Sequence, residues 1–154
     1  MSFVEAFGKA LNVEFKLFIP MILPPLLRVF DGKLGDRDKT ANTHMKIFDA
    51  FLTFCANIEE YLQFVIPLIV KTYECQDTSG TFLRKKAIRT IEGLTRRINF
   101  SDHASRITHP LVRVLNAGNK LPPAVLGTLC ALVLQLGSDF AIFDPTICKV
   151  RAIQ

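Results

Sequence analysis

Tryptophan is absent and tyrosine occurs only twice in 154 residues. The aromatic bulk therefore comes from 13 Phe, an apolar and chemically plain set. Cysteine occurs four times, at Cys55, Cys75, Cys130 and Cys148, and never as a CxxC pair, which excludes the usual zinc and redox motifs. Three of the four fall in apolar helical stretches, where Cys is expected as a small buried hydrophobe, and a reducing intracellular compartment is the simplest setting. Glycine and proline number eight each, too few for a collagen-like or low-complexity chain. With 49% hydrophobic and 21% charged residues, intrinsic disorder is excluded as well. The opening Met1-Ser2-Phe3-Val4-Glu5 lacks the basic region and cleavage site of a secretory signal.

Long apolar runs are also scarce. Leu121 to Ser138 carries no charge, but it holds Pro122, Pro123, Thr128, Gln135 and two glycines. Its helical part is roughly 14–16 residues, short of the ~20 that a bilayer requires, so it is expected as a buried core helix.

Catalytic motifs are missing too. No G-x-S-x-G, P-loop or HExxH string occurs. Asp36-Arg37-Asp38 has the look of a kinase catalytic loop but stands without DFG or a Gly-rich loop. Asp31 to Asn42 has the length of a calcium loop, yet puts Lys33 at a ligand position and lacks the terminal Glu. Asp102, His103 and His109 are close in sequence without enough further ligands for a metal. His103 is expected at the surface behind a Ser101 cap, and His109 beside Pro110. Asn99-Phe100-Ser101 matches a glycosylation sequon that needs a secretory route to matter. No cofactor or metal is expected.

What is present is self-similarity. Pro25-Leu-Leu-Arg-Val-Phe30, Pro67-Leu-Ile-Val-Lys-Thr-Tyr73, Pro110-Leu-Val-Arg-Val-Leu115 and Pro145-Thr-Ile-Cys-Lys-Val150 each place a basic residue three or four positions after a proline (Arg28, Lys71, Arg113, Lys149). The prolines are 42, 43 and 35 residues apart, with Pro20 as an alternative first anchor. A period of ~40–47 with only helical patterning between is the HEAT/armadillo signature. Each proline is read as a bend at or near the start of the second helix of a pair, or else as a kink within one longer helix.

The intervening helices are patterned. Ser2 to Glu5 has capping-box spacing, with Phe3, Phe7, Ala10 and Leu11 on one face. Between Ala41 and Asn57, Phe48, Phe51, Leu52 and Cys55 form one apolar side, and Ile47, Phe54 and Ile58 a second. A helix apolar on two sides is packed on two sides. Leu83, Ala87, Ile91, Leu94 and Ile98 stripe the segment Thr81 to Asn99, and Val125, Leu129, Leu132, Val133 and Leu136 pattern the next. Polar turns are expected at Asp31–Asp38, Gln76–Gly80 and Ala117–Lys120. The fold class is therefore all-α: a HEAT-like α-solenoid of about four antiparallel helix pairs in a right-handed stack, one array over 1–154 with units 1–35, 36–77, 78–118 and 119–154.

Charge singles out one surface. The chain is +5 overall, but between Gly80 and Asn116 eight basic residues face only Glu92 and Asp102. Lys85, Arg89 and Arg96 recur at roughly helical spacing opposite the apolar stripe, with Glu92 placed to pair at i+3 or i+4. A solvated helix face is the plainer reading; the functional one is a contact with an acidic protein partner. Nucleic acid is disfavoured because aromatics do not interleave on the exposed side.

Specific strings add a resemblance. They are Ala10-Leu-Asn-Val-Glu-Phe15 with Pro24-Pro-Leu-Leu-Arg-Val-Phe30; Ala56-Asn-Ile-Glu-Glu-Tyr-Leu62 with Pro67-Leu-Ile-Val-Lys71; Ser101-Asp-His-Ala-Ser-Arg-Ile-Thr-His-Pro110 with Leu111-Val-Arg-Val-Leu115; and Leu132-Val-Leu-Gln-Leu-Gly137 with Phe140. In these the chain resembles the HEAT-repeat region of target of rapamycin (TOR) serine/threonine kinases, ahead of their FAT and kinase domains. The resemblance implies a non-catalytic scaffold segment in nutrient and growth signalling. The partners it implies are Raptor- or Rictor-type subunits and a second TOR protomer. It also implies a cytoplasmic location, peripheral to endomembranes through the complex. No catalytic, ATP or magnesium residue carries over. The abrupt ends, Met1 leading into a helix and Arg151 to Gln154 lacking a capping repeat, lead to the expectation of a piece of such a protein. The alternative is a free-standing HEAT adaptor, transport-receptor-like or phosphatase-scaffold-like.

Overall fold

The computed structural model describes residues 6, 12–31, 37–74, 81–116 and 123–151. Among these lie seven α-helices and no strand: α1 (Ile19–Asp31), α2 (Arg37–Thr53), α3 (Leu62–Glu74), α4 (Thr81–Thr95), α5 (Ala104–Asn116), α6 (Pro123–Leu136) and α7 (Asp144–Arg151). The Ser2–Glu5 capping box, the first apolar face and the turns 76–80 and 117–120 lie outside the described residues.

Side-chain period decides how each helix is used. In α5, Ala104, Ile107, Thr108, Leu111, Val114 and Leu115 recur at helical spacing and are all buried. In α4 the same holds for Ala87, Ile91 and Leu94, and in α2 Ile47, Phe48 and Phe51 all point inward. Such wide apolar faces need neighbours on more than one side. The helices meet that need by stacking in two layers: α2, α4 and α6 succeed one another in the first, α1, α3, α5 and α7 in the second. The layers meet most extensively where α3 packs on α4. This is an all-α solenoid, whose core runs along the stack rather than gathering at one centre.

The repeat prolines divide between the two readings, and most lie within a helix. Pro67 and Pro110 lie inside α3 and α5, five and six residues past their starts, and Pro24 and Pro25 lie inside α1. Of the four repeat prolines, Pro145 alone falls in a first turn. The reason is the entry to each second-layer helix. A 3₁₀ segment leads into every one of them: Asn12–Phe18, Glu59–Tyr61, Ser101–His103 and Gly137–Phe143. Helical winding therefore begins upstream of the interior prolines, each of which forgoes one i→i−4 bond within the helix.

Other expectations are also corrected. Asn99, not Ser101, organises the turn before α5: its Oδ1 accepts from the Ser101 backbone N–H at 3.0 Å and the Ser101 hydroxyl at 2.7 Å. Arg37 and Asp38 open α2 rather than sitting in a polar turn. Cys55 is buried, but Cys130 and Cys148 are exposed, because they fall on the outer sides of α6 and α7. α6 is less buried than its composition suggests. Val125, Thr128, Leu129 and Leu132 face inward, whereas Leu126, Val133 and Leu134 are exposed, the last at 85%. The stretch Pro123–Cys148 is apolar enough to be considered as a span. However, Gly137 takes a left-handed φ of 55° and ends α6 after 14 residues, about 21 Å of helix against the ~30 Å of a hydrocarbon core.

Candidate protein-interaction surface

Long polar side chains tie neighbouring parts of the stack. Lys16 Nζ meets Glu60 at 2.6 Å, and Lys86 of α4 pairs with Asp49 of α2. In the second layer, Arg113 of α5 meets the carboxylate of Glu74, the last residue of α3, at 2.6 Å. Gln135 of α6 bonds the main chain of Thr95, at the end of α4, at 2.6 Å. These partners are 44, 37, 39 and 40 residues apart, close to the proline spacing. Exposed pairs of this kind set register more than they add stability.

Two glycines let the first-layer helices approach closely. A Cβ on Gly93 of α4 would lie 2.7 Å from Leu52 Cδ2 of α2. A Cβ on Gly127 of α6 would lie 2.1 Å from Glu92 Oε1 and 3.2 Å from Arg96 Nη2. The Glu92–Arg96 pair, 2.7 Å apart, therefore rests over Gly127.

That contact orients α4 and fixes its outer side. Lys85, Arg89 and Arg96 are all exposed on it, as their spacing requires. They are not equivalent. Arg96 is held by Glu92, one turn earlier. Lys85 and Arg89 have no ion-pair partner among the described residues. Asp49 and Glu92, the carboxylates α2 and α4 contribute among the described side chains, are already engaged by Lys86 and Arg96.

Sequence reasoning missed Phe82. It precedes Lys85 by three residues, shares the outer face and is 79% exposed, so the stripe does carry an aromatic. A Phe at the second position of a helix, outside the Leu83/Ala87/Ile91/Leu94 stripe, was the available signal. Gln135 was missed too, as a lone polar residue in an apolar helix.

The histidines stay apart. His109 is exposed with its ring edge-on to Phe143 at 5.8 Å, and His103 sits half-buried in the 3₁₀ turn before α5. Among the described residues no three His, Cys, Asp or Glu side chains converge.

No protein-family model matches the chain. Full-length relatives do. Over 151 residues the chain is 41% identical to serine/threonine-protein kinase tor1 of Schizosaccharomyces pombe, which covers 97% of the chain. Over 150 residues it is 37% identical to serine/threonine-protein kinase TOR2 of Saccharomyces cerevisiae, again covering 97% of the chain. Over 147 residues it is 31% identical to serine/threonine-protein kinase mTor of Drosophila melanogaster, covering 96% of the chain. The chain is homologous to a segment of TOR kinases. It spans about 6% of the length of each of these relatives. The TOR relatives are named as serine/threonine-protein kinases, and the sequence of this chain carries neither a DFG nor a Gly-rich-loop motif.

Proposed function

We propose that this TOR segment is a scaffold of HEAT type, with units 1–35, 36–77, 78–118 and 119–154, and that its work is protein–protein assembly in TOR signalling. The observation that carries the reading is the two-layer stack itself. Its polar ties recur at the repeat spacing and leave long, regular outer faces without converging catalytic groups among the described residues. Subunits of Raptor or Rictor type and a second TOR protomer are the partners this reading assigns. The matching place is the cytoplasm, at endomembranes where the complex sits. A free-standing adaptor is disfavoured by alignment of nearly the whole chain with TOR kinases.

The test uses a full-length TOR protein carrying one of two charge-reversal sets, Lys85 and Arg89 on α4 with Arg96 just past its end, or Arg28, Lys71 and Arg106 on the second layer. Co-precipitation of complex subunits is measured beside kinase activity on a peptide. The scaffold reading expects at least one set to reduce capture with peptide activity retained. Capture unchanged by both sets would overturn it. If only the α4 set is silent, that stripe is solvated surface.

A further inference from the structure

We propose that the outer face of α4 docks an acidic helical segment of a partner protein, one whose carboxylates sit one turn from an apolar side chain. The inference rests on the assembly reading above and names the chemistry of one contact within it.

Phe82, Lys85 and Arg89 stand at i, i+3 and i+7 on α4, a line about 10 Å long on the solvent side. Each of the three is exposed, Phe82 at 79%. Among the described residues, the layer's carboxylates do not pair with this line. Asp49 is taken by Lys86, and Glu92 is held against Arg96 over the Gly127 notch. Lys46 of α2 is exposed one turn before Asp49, the partner of Lys86. What remains is two cations with no ion-pair partner among the described residues, about 6 Å apart along the axis, and an aromatic ring at one end.

A complementary ligand follows from those distances. Two carboxylates four residues apart on a helix repeat at the same ~6 Å rise as Lys85 and Arg89. A Leu or Met one turn away would cover the Phe82 ring, and burying that ring adds the apolar term that exposed ion pairs lack. Nucleic acid fits less well, since a strand needs successive stacking rings along a continuous cationic track, and Arg96 is already neutralised. An anionic bilayer needs a broad apolar face to enter, and the apolar face of α4 is spent on the core.

The experiment measures fluorescence anisotropy of labelled probes with the purified 154-residue chain. The probes are a helical peptide with Glu at i and i+4 and Leu at i−3, its Glu→Gln and Leu→Ala versions, and an oligothymidylate. Phosphatidylserine vesicles are tested by sedimentation. The acidic peptide is expected to bind, weakening roughly tenfold on Lys85→Glu/Arg89→Glu and on the Glu→Gln peptide, and severalfold on Phe82→Ala. Rising salt should weaken it further. Lys85→Gln/Arg89→Gln, with matched thermal unfolding, guards against a folding defect. Binding that ignores Lys85, Arg89 or Phe82 would overturn the proposal. Oligothymidylate or vesicles binding more tightly through the same residues would also overturn it. If the peptide fails while the second-layer charge set still reduces subunit capture, this proposal falls and the assembly reading stands.

Discussion

The side-chain amide of Gln135 closes the end of the helix beside it: its Nε2 donates to the carbonyl of Thr95 over 2.6 Å. Thr95 ends α4, so its carbonyl is among the four that no intrahelical N–H reaches. The same nitrogen donates to Ile98 O at 2.8 Å, and Oε1 accepts from the Phe100 N–H at 2.8 Å. One side chain of α6 thus satisfies three main-chain groups in the turn between α4 and α5. Gln135→Ala should cost about 2–3 kcal/mol in urea unfolding, since partly buried groups lose their partner. Gln135→Glu can still accept from Phe100, but sets a carboxylate oxygen against two carbonyls. It should therefore be less stable than wild type at pH 7 and recover as the carboxyl protonates toward pH 4. Wild-type stability of Gln135→Glu at pH 7 would remove the clamp from the account.

Gly127 and Glu92 form a second coupled pair. Alanine favours a helix over glycine by about 1 kcal/mol, but here its Cβ would fall 2.1 Å from Glu92 Oε1. Gly127→Ala alone should therefore break the Glu92–Arg96 pair and gain little. In a Glu92→Ala background the obstacle is gone, and the same substitution should stabilise by up to about 1 kcal/mol. A double-mutant cycle measures the difference. Additive effects would mean that the pair does not lie over the glycine.

The repeat, the all-helical class and the apolar faces were legible because periodicity encodes burial directly: Ile91 and Leu94 are core on either evidence. The position of the prolines was not. Whether Pro67 opens a helix or lies within it depends on where winding begins, and the 3₁₀ entry at Glu59–Tyr61 has no distinctive residue pattern. For the candidate surface, the direction of Lys85, Arg89 and Arg96 followed from spacing, and so did the Glu92–Arg96 pair. That Asp49 would engage Lys86, leaving Lys85 bare, is a tertiary fact between α2 and α4. The exposure of Leu126 and Val133 was hidden likewise, since α6 is apolar nearly all round and composition cannot say which side a neighbour covers.

His44 makes the junction of α1 and α2 sensitive to acid. Its ring stacks on Phe30 with centroids 4.1 Å apart and planes 17° from parallel, and its Nε2 is buried without a hydrogen-bond partner among the described residues. Burial holds its pKa below the ordinary 6.5, against the smaller opposing pull of the Phe30 and Val29 main chain. A base depressed on folding binds more protons when unfolded, so its stabilising effect is intact above pH 6.5 and is lost as pH falls toward its folded value. Stability from denaturant curves should drop between pH 7.5 and pH 5, and the drop should shrink in His44→Phe. An unchanged drop would assign the acid sensitivity elsewhere.

Tyr73 offers the reverse test, a polar atom whose removal should help. It is fully buried at the end of α3, and its phenolic oxygen has no hydrogen-bond partner among the described residues. An unpaired buried hydroxyl keeps its desolvation cost and returns nothing, whereas Phe preserves the ring packing. Tyr73→Phe should be neutral or stabilising by up to about 1 kcal/mol, while Tyr73→Ala should cost about 3–5 kcal/mol through the cavity it leaves. The alkaline limb carries an independent sign. Burial pushes the phenol well above its ordinary value, with Glu74 adding to the rise and Arg113 opposing it. An acid raised on folding stays protonated while the unfolded chain ionises, so wild type should lose stability as pH climbs through 10. Tyr73→Phe should lose less over the same range, read from urea midpoints at pH 8 and pH 11. A clear loss of stability at pH 8 would show that the hydroxyl has a partner, and parallel alkaline limbs would show that the phenol ionises as freely in the folded chain as in the unfolded one.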